Sequence, residues 1–168
     1  MRVFRLGSGR HKLFDGTGAG MRGGRWNSKG RPVIYAASSL SLAMLEYLAR
    51  AGISEFAPDA VCITIDILDG IRVERVDVTD VPGWNATDSA ASREVGDRWF
   101  DAQRSAVLLV PSVIVSLEHN VIINPAHPEA RGIRAGAPKP VGWDARLRQL
   151  AERRSTKRFP SRGRKRSP

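Results

Sequence analysis

Apolar residues change their spacing several times along the chain, and each change marks an element. VIYAA (33–37) is rich in β-branched and aromatic residues and predicts a short strand. Directly after it the spacing becomes helical. In SLSLAMLEYLARAG the residues Leu40, Ala43, Met44, Tyr47 and Leu48 form one stripe, Ser38 and Ser39 offer an N-cap, and Gly52 offers a stop. AVCITIDIL (60–68) and IRVERV (71–76), separated by Asp69-Gly70, read as a hairpin. A polar region with Pro82, Gly83 and Trp84 leads into a helix from about Ser89 to Gln103. AVLLVPSVIVS (106–116) and NVIIN (120–124), which Pro125 ends, are two further strands. Strands and helices are interspersed without the regular alternation of a doubly wound sheet, so the expected class is α+β.

Ahead of these elements, residues 7–32 show no apolar period and contain eight glycines, from Gly7 to Gly30. A long irregular stretch of this kind inside a compact domain is commonly functional. With 168 residues, 42% hydrophobic and 26% charged, the chain fits one globular domain. No apolar run reaches the roughly 18–20 residues that span a bilayer, and the basic start lacks the apolar stretch of a signal peptide. The lone Cys62, inside an apolar run, reads as a buried bystander, and the expected location is the cytoplasm.

Charge changes the picture only once it is located. Of 27 Lys and Arg, eight fall in residues 153–168, which hold no Asp or Glu, leaving 19 basic against 17 acidic residues before them. The body is nearly neutral. The net charge of +10 therefore belongs mainly to a tail. We expect a domain over residues 1–145 and a basic, disordered tail over 146–168.

Candidate chemistry is sparse. GGRWN (23–27) sets Arg25 among glycines, which let a backbone approach a ligand, while the planar guanidinium suits phosphate. A solvated surface arginine would have the same sequence. Tyr35 is ordinary strand filling, and Glu46 lies off the helix stripe, where an i,i+4 pair with Arg50 is the plain alternative. Ser112 interrupts an apolar strand beside Pro111, which suggests an edge or bulge, or a serine satisfying local backbone. Asn120 and Asn124 bracket an apolar strand. The three histidines, His11, His119 and His127, lack metal-ligand spacing, so no metal is expected.

Taken in order, FDGTGA (14–19), GGRWNSKGRPVIYAASSLSLAMLEYL (23–48), VPSVIV (110–115) and NVIINPAHP (120–128) resemble the RES domain, named for its arginine, glutamate and serine. The likeness runs over about residues 2–130 and leaves out the tail. It implies a fold like that of mono-ADP-ribosyltransferases and the role of a bacterial toxin paired with an Xre-type antitoxin in a multi-chain complex. It also implies NAD as substrate, cleaved at the nicotinamide–ribose bond, with ADP-ribose passing to a protein, water or phosphate. By motif position Arg25, Tyr35, Glu46 and Ser112 are the implied catalytic residues, and Arg25, Tyr35, Asn27 and Asn120 line the NAD site. The competing expectation is a nucleic-acid-binding or RNA-cleaving protein acting through the basic tail, although Phe159 is that tail's only aromatic.

Overall fold

The computed structural model describes residues 1–51, 59–147 and 149. Among them, strands β1 (Arg2–Ser8), β2 (Ile34–Ala37), β3 (Ala60–Ile67), β4 (Val73–Arg75), β5 (Val107–Pro111), β6 (His119–Ile123), β7 (Ile133–Ala135) and β8 (Lys139–Pro140) form one sheet. Its order is β4–β5–β6–β2–β1–β3–β7, with β8 also pairing with β3. Helices α1 (Thr17–Arg22), α2 (Leu40–Ala51) and α3 (Ala90–Ala102) complete the described elements of length. The α+β expectation holds. Gly52 and residues 153–168 lie outside the described residues, and no described helix is long and apolar enough to cross a membrane.

The apolar patterning explains the layers. Ile63, Ile65 and Ile67, alternate residues of β3, with Val3 of β1 and Ile34, Val107, Val121 and Ile123, belong to one core cluster. Trp26, Val33, Trp99, Leu108, Val110 and Ile122 form a second, on which α3 lies. Under α2 a third gathers Leu6, Ala37, Leu42, Ala43, Tyr47 and Trp143, with the Tyr47 and Trp143 rings 6.1 Å apart. Ser39 begins α2 as expected: its hydroxyl accepts from the Leu42 N–H at 3.1 Å and donates to Glu118 at 2.5 Å. The buried face is rotated from the expected stripe, since Leu42 is fully buried whereas Leu40 is exposed. Leu42 there joins a cluster that includes the small residues Ala37 and Ala60.

Three further expectations are corrected. Residues 71–76 do not form a hairpin with β3, because β1 and β7 already occupy both edges of β3. Instead Gly70, at φ +92°, turns the chain away, and β4 pairs in parallel with β5 through the crossover helix α3. The strand expected over 106–116 stops at Pro111. There the Ser112 hydroxyl accepts from the Ile114 and Val115 N–H groups at 3.1 and 3.2 Å and curls the chain into a turn. Within residues 7–32, β1 runs to Ser8 and α1 forms, started by Asp15 accepting from the Thr17 N–H at 2.9 Å. With no buried residue in its six, α1 carries no apolar period to read.

The same stretch is firmly held to α3. The Ser92 hydroxyl donates to the Arg25 carbonyl at 2.9 Å, Asp97 accepts from the Ser28 N–H at 2.8 Å, and Arg31 pairs with Asp101 at 2.7 Å. At Gly96 the helix and the Trp26 carbonyl approach so closely that a Cβ would lie 1.8 Å from that oxygen. Replacing a helix-interior glycine with alanine ordinarily stabilises by about 0.5–1 kcal/mol. At Gly96 the steric cost exceeds this gain. We therefore expect Gly96→Ala to lower the urea midpoint, while Gly142→Ala, with open space around it, stays within about 0.5 kcal/mol of the parent. A Gly96→Ala chain as stable as the parent would contradict the close approach.

Candidate active site

β1 and β2 are registered at a single pair, Phe4 with Ala37. Beyond it a slot opens between the strands, lined by Arg5, Leu6, Tyr35 and Ala36 and roofed by Ala43, Glu46 and Arg50 of α2. The slot continues into a cavity of about 290 Å³ walled by Gly23, Gly24, Arg25 and Trp26 on one side and Pro111, Val113 and Asn120 on the other. Arg25, Tyr35, Glu46 and Asn120 therefore meet in one cleft although they span 95 positions of sequence.

Glu46 is the best-defined group in it. Its Oε1 accepts from the Ser112 hydroxyl at 3.1 Å and from the Asn120 side-chain amide at 2.5 Å. Both donors come from the adjoining ends of β5 and β6, which are paired through Pro111 and His119. Among the described residues no ion pair joins Glu46 to Arg50, so the plain i,i+4 alternative is not what the fold adopts. Neutral donors fix the carboxylate and leave its negative charge unmatched, with Oε2 open to a ligand.

Tyr35 and Asn27 form a buried support for the GGRWN segment. The Tyr35 hydroxyl accepts from the Trp26 N–H at 3.0 Å and donates to Asn27 Oδ1 at 2.8 Å. The Asn27 amide donates to the carbonyls of Ala19, Ser28 and Arg31 at 2.9–3.2 Å, and Asn27 is wholly buried. Gly24 is required beside them, because a Cβ there would come within 2.6 Å of the Tyr35 hydroxyl. Arg25 Nη1 donates to the carbonyls of Trp84 and Ala86 at 3.0 and 2.8 Å, tying the cleft wall to the 84–86 turn. Ser112 is fully buried behind Glu46.

Sequence reasoning missed Arg5. On β1 it lies in the slot, with Nη1 donating to the Tyr35 carbonyl at 2.9 Å. Burial, then the neighbouring Arg50 charge, lower its pKa to about 10. The readable signal was a charge inside the apolar strand VFRL, a position that a solvated arginine also takes.

The RES domain family model matches residues 1–144. The chain belongs to the RES domain family. A RES relative in Photorhabdus laumondii, Toxin Res, is 40% identical over 129 residues, covering 74% of this chain and 82% of that protein. The Prs ADP-ribosylating toxin of Sphingobium sp. is 39% identical over 137 residues, covering 79% of this chain and 85% of its own. A chain in the crystal structure of the M. tuberculosis MbcT–MbcA toxin–antitoxin complex superposes with a TM-score of 0.66 at 18% identity, covering 90% of this chain and 87% of that one, which establishes the shared fold.

Burial raises the Tyr35 phenol to about 12 from an ordinary value of 10.0. The folded state therefore favours the neutral phenol. Because the folded pKa lies above the unfolded one, this contribution is complete below about pH 10 and is lost as pH rises through about 12. Spectrophotometric titration of the folded chain should show a phenolate step near pH 12 that Tyr35→Phe removes. A Tyr35 step at the ordinary value would mean that the hydroxyl is solvated rather than locked to Trp26 and Asn27.

Proposed function

We propose that this RES protein is the toxin of a bacterial toxin–antitoxin pair and that it cleaves the nicotinamide–ribose bond of NAD in the cleft holding Glu46. The observation that carries the reading is the fixed carboxylate: Glu46, held by Ser112 and Asn120, faces a cavity lined by Arg25, Trp26 and Tyr35. The names of the Sphingobium and Photorhabdus relatives support it, the first as an ADP-ribosylating toxin and the second as a toxin.

In this reading the C–N glycosidic bond breaks with its electron pair going to the nicotinamide nitrogen, and positive charge develops on the ribose as in other glycosyl transfers. Glu46 stabilises that charge and receives the ribose hydroxyls on its free oxygen. Ser112 and Asn120 act through Glu46 as positioning residues. Tyr35 and Asn27 hold the GGRWN backbone against the nicotinamide end, and Arg25 ties that same wall to the 84–86 turn. The acceptor, a protein side chain, water or phosphate, then bonds to the ribose carbon and loses its proton. A cognate Xre-type antitoxin, in a multi-chain complex, neutralises the enzyme by covering the cleft.

The test is chromatographic: purified chain is incubated with NAD in the presence of water alone, phosphate or cell lysate. We expect free nicotinamide, with turnover lowered about 10²–10³-fold in Glu46→Gln and less in Ser112→Ala. NAD left intact under all three conditions, or full turnover by Glu46→Gln, would overturn the reading.

A further inference from the structure

We propose that Glu118, through its bond to Ser39, is a positioning residue for Glu46. It holds the turn that carries Ser112 against the helix that carries the carboxylate. Neither Glu118 nor Ser39 lines the cleft. The consequence for turnover rests on the NAD reading above. The geometry does not.

The turn between β5 and β6 touches α2 at two places. At one end Ser112 donates to Glu46 Oε1 at 3.1 Å. At the other, Glu118 Oε2 accepts from the Ser39 hydroxyl at 2.5 Å and, at 3.5 Å, from that of Ser38. Ser39 and Glu46 are seven positions apart in sequence. On a helix that spacing is two turns, roughly 10 Å along the axis, and nearly the same face. One attachment would leave the helix free to pivot about it. Two on one face, two turns apart, fix its direction over the strands.

The turn itself closes through Glu118. The Glu118 carbonyl accepts from the Ser112 N–H at 3.0 Å, and the Glu118 N–H donates to the Val115 carbonyl at 2.9 Å. A ring of contacts thus runs from Glu118 to Ser112, on to Glu46, back along α2 to Ser39, and to Glu118 again. A displaced Glu118 shifts Ser112 across a single hydrogen bond, and a reacting carboxylate must be held within about 0.5 Å of its productive place. Apolar packing does little for the turn, since Val113, Ile114 and Leu117 are exposed and Val115 alone joins the cluster under α2. Nor does capping of α2 require Glu118, because Ser39 Oγ accepts from the Leu42 N–H unaided. Glu118 takes part in no ion pair among the described residues. What its carboxylate holds is the turn.

Two substitutions separate positioning from capping. Ser39→Asp keeps an acceptor for the Leu42 N–H but cannot donate to Glu118, and Glu118→Ala removes the acceptor while leaving the cap. With the full chain and NAD, each should lower kcat about tenfold at nearly constant KM. Glu118→Gln still offers Ser39 an oxygen and should retain most of kcat. The reversed pair Ser39→Asp/Glu118→Gln, in which the amide donates to the carboxylate, should restore it. In a Ser112→Ala background Glu118→Ala should have no further effect, because its influence passes through Ser112. A loss that persists in full in that background, or that follows Tm without recovery in the reversed pair, overturns the proposal. The Asn120 side-chain amide, bonded to Glu46, gives a readout without substrate. Its proton–nitrogen resonances should shift in Ser39→Asp and Glu118→Ala and return in the reversed pair. If NAD stays intact while those resonances behave so, the positioning stands and the NAD reading falls. If turnover needs Glu46 while kcat and the resonances ignore Ser39 and Glu118, the NAD reading stands and the positioning falls.

Discussion

The Trp26 carbonyl meets α3 at Gly96 with no room for a side chain, and the cleft depends on that contact. A polar, glycine-rich segment has no apolar face of its own to bury, so its position must come from hydrogen bonds and close backbone packing. At Gly96 the segment sits low enough on α3 for Ser92 to reach the Arg25 carbonyl and for Asp97 to reach the Ser28 N–H. Those bonds hold Trp26 and Asn27 where the Tyr35 hydroxyl bridges them. The strand, the helix and the glycine-rich segment are thus tied to one another, although the sequence of that segment shows no apolar period.

Charge is divided across the cleft. The carboxylate of Glu46 is held by a hydroxyl and an amide, neither of which neutralises it. The arginines that would neutralise it are held elsewhere: Arg25 by carbonyls, Arg5 by the Tyr35 carbonyl. A carboxylate bonded to neutral donors keeps its full attraction for a developing positive charge, whereas one paired with arginine would not. The cost falls on Arg5, whose pKa is lowered by burial first and by the neighbouring Arg50 charge second.

What the sequence disclosed follows the range of the interactions involved. VIYAA, the capped helix after it and the helix beginning near Ser89 were legible because their signals are local. The motif order also brought together Arg25, Tyr35, Glu46 and Asn120, which the fold places in one cleft. The partner of residues 73–75 was not legible. It depends on both edges of β3 being filled, by β1 and by β7, and β7 is formed more than sixty residues later. Gly96 looks in sequence like a weak point in a helix, and only the position of Trp26 gives it a purpose. Arg5 was passed over because one arginine in a short strand carries no period.

Glu46 and Arg50 show most directly how tertiary contacts override a local rule. Spaced i,i+4 on one helix, they invite a surface ion pair, which is worth about 0.3–0.5 kcal/mol. Against it stand two hydrogen bonds to a charged acceptor, from Ser112 and Asn120, each worth about 1.5–3 kcal/mol. The larger sum wins, and the carboxylate turns toward β5 and β6. Arg50 is then left without an ion pair among the described residues at the end of α2, next to Arg5, whose pKa is lowered by burial first and by the Arg50 charge second.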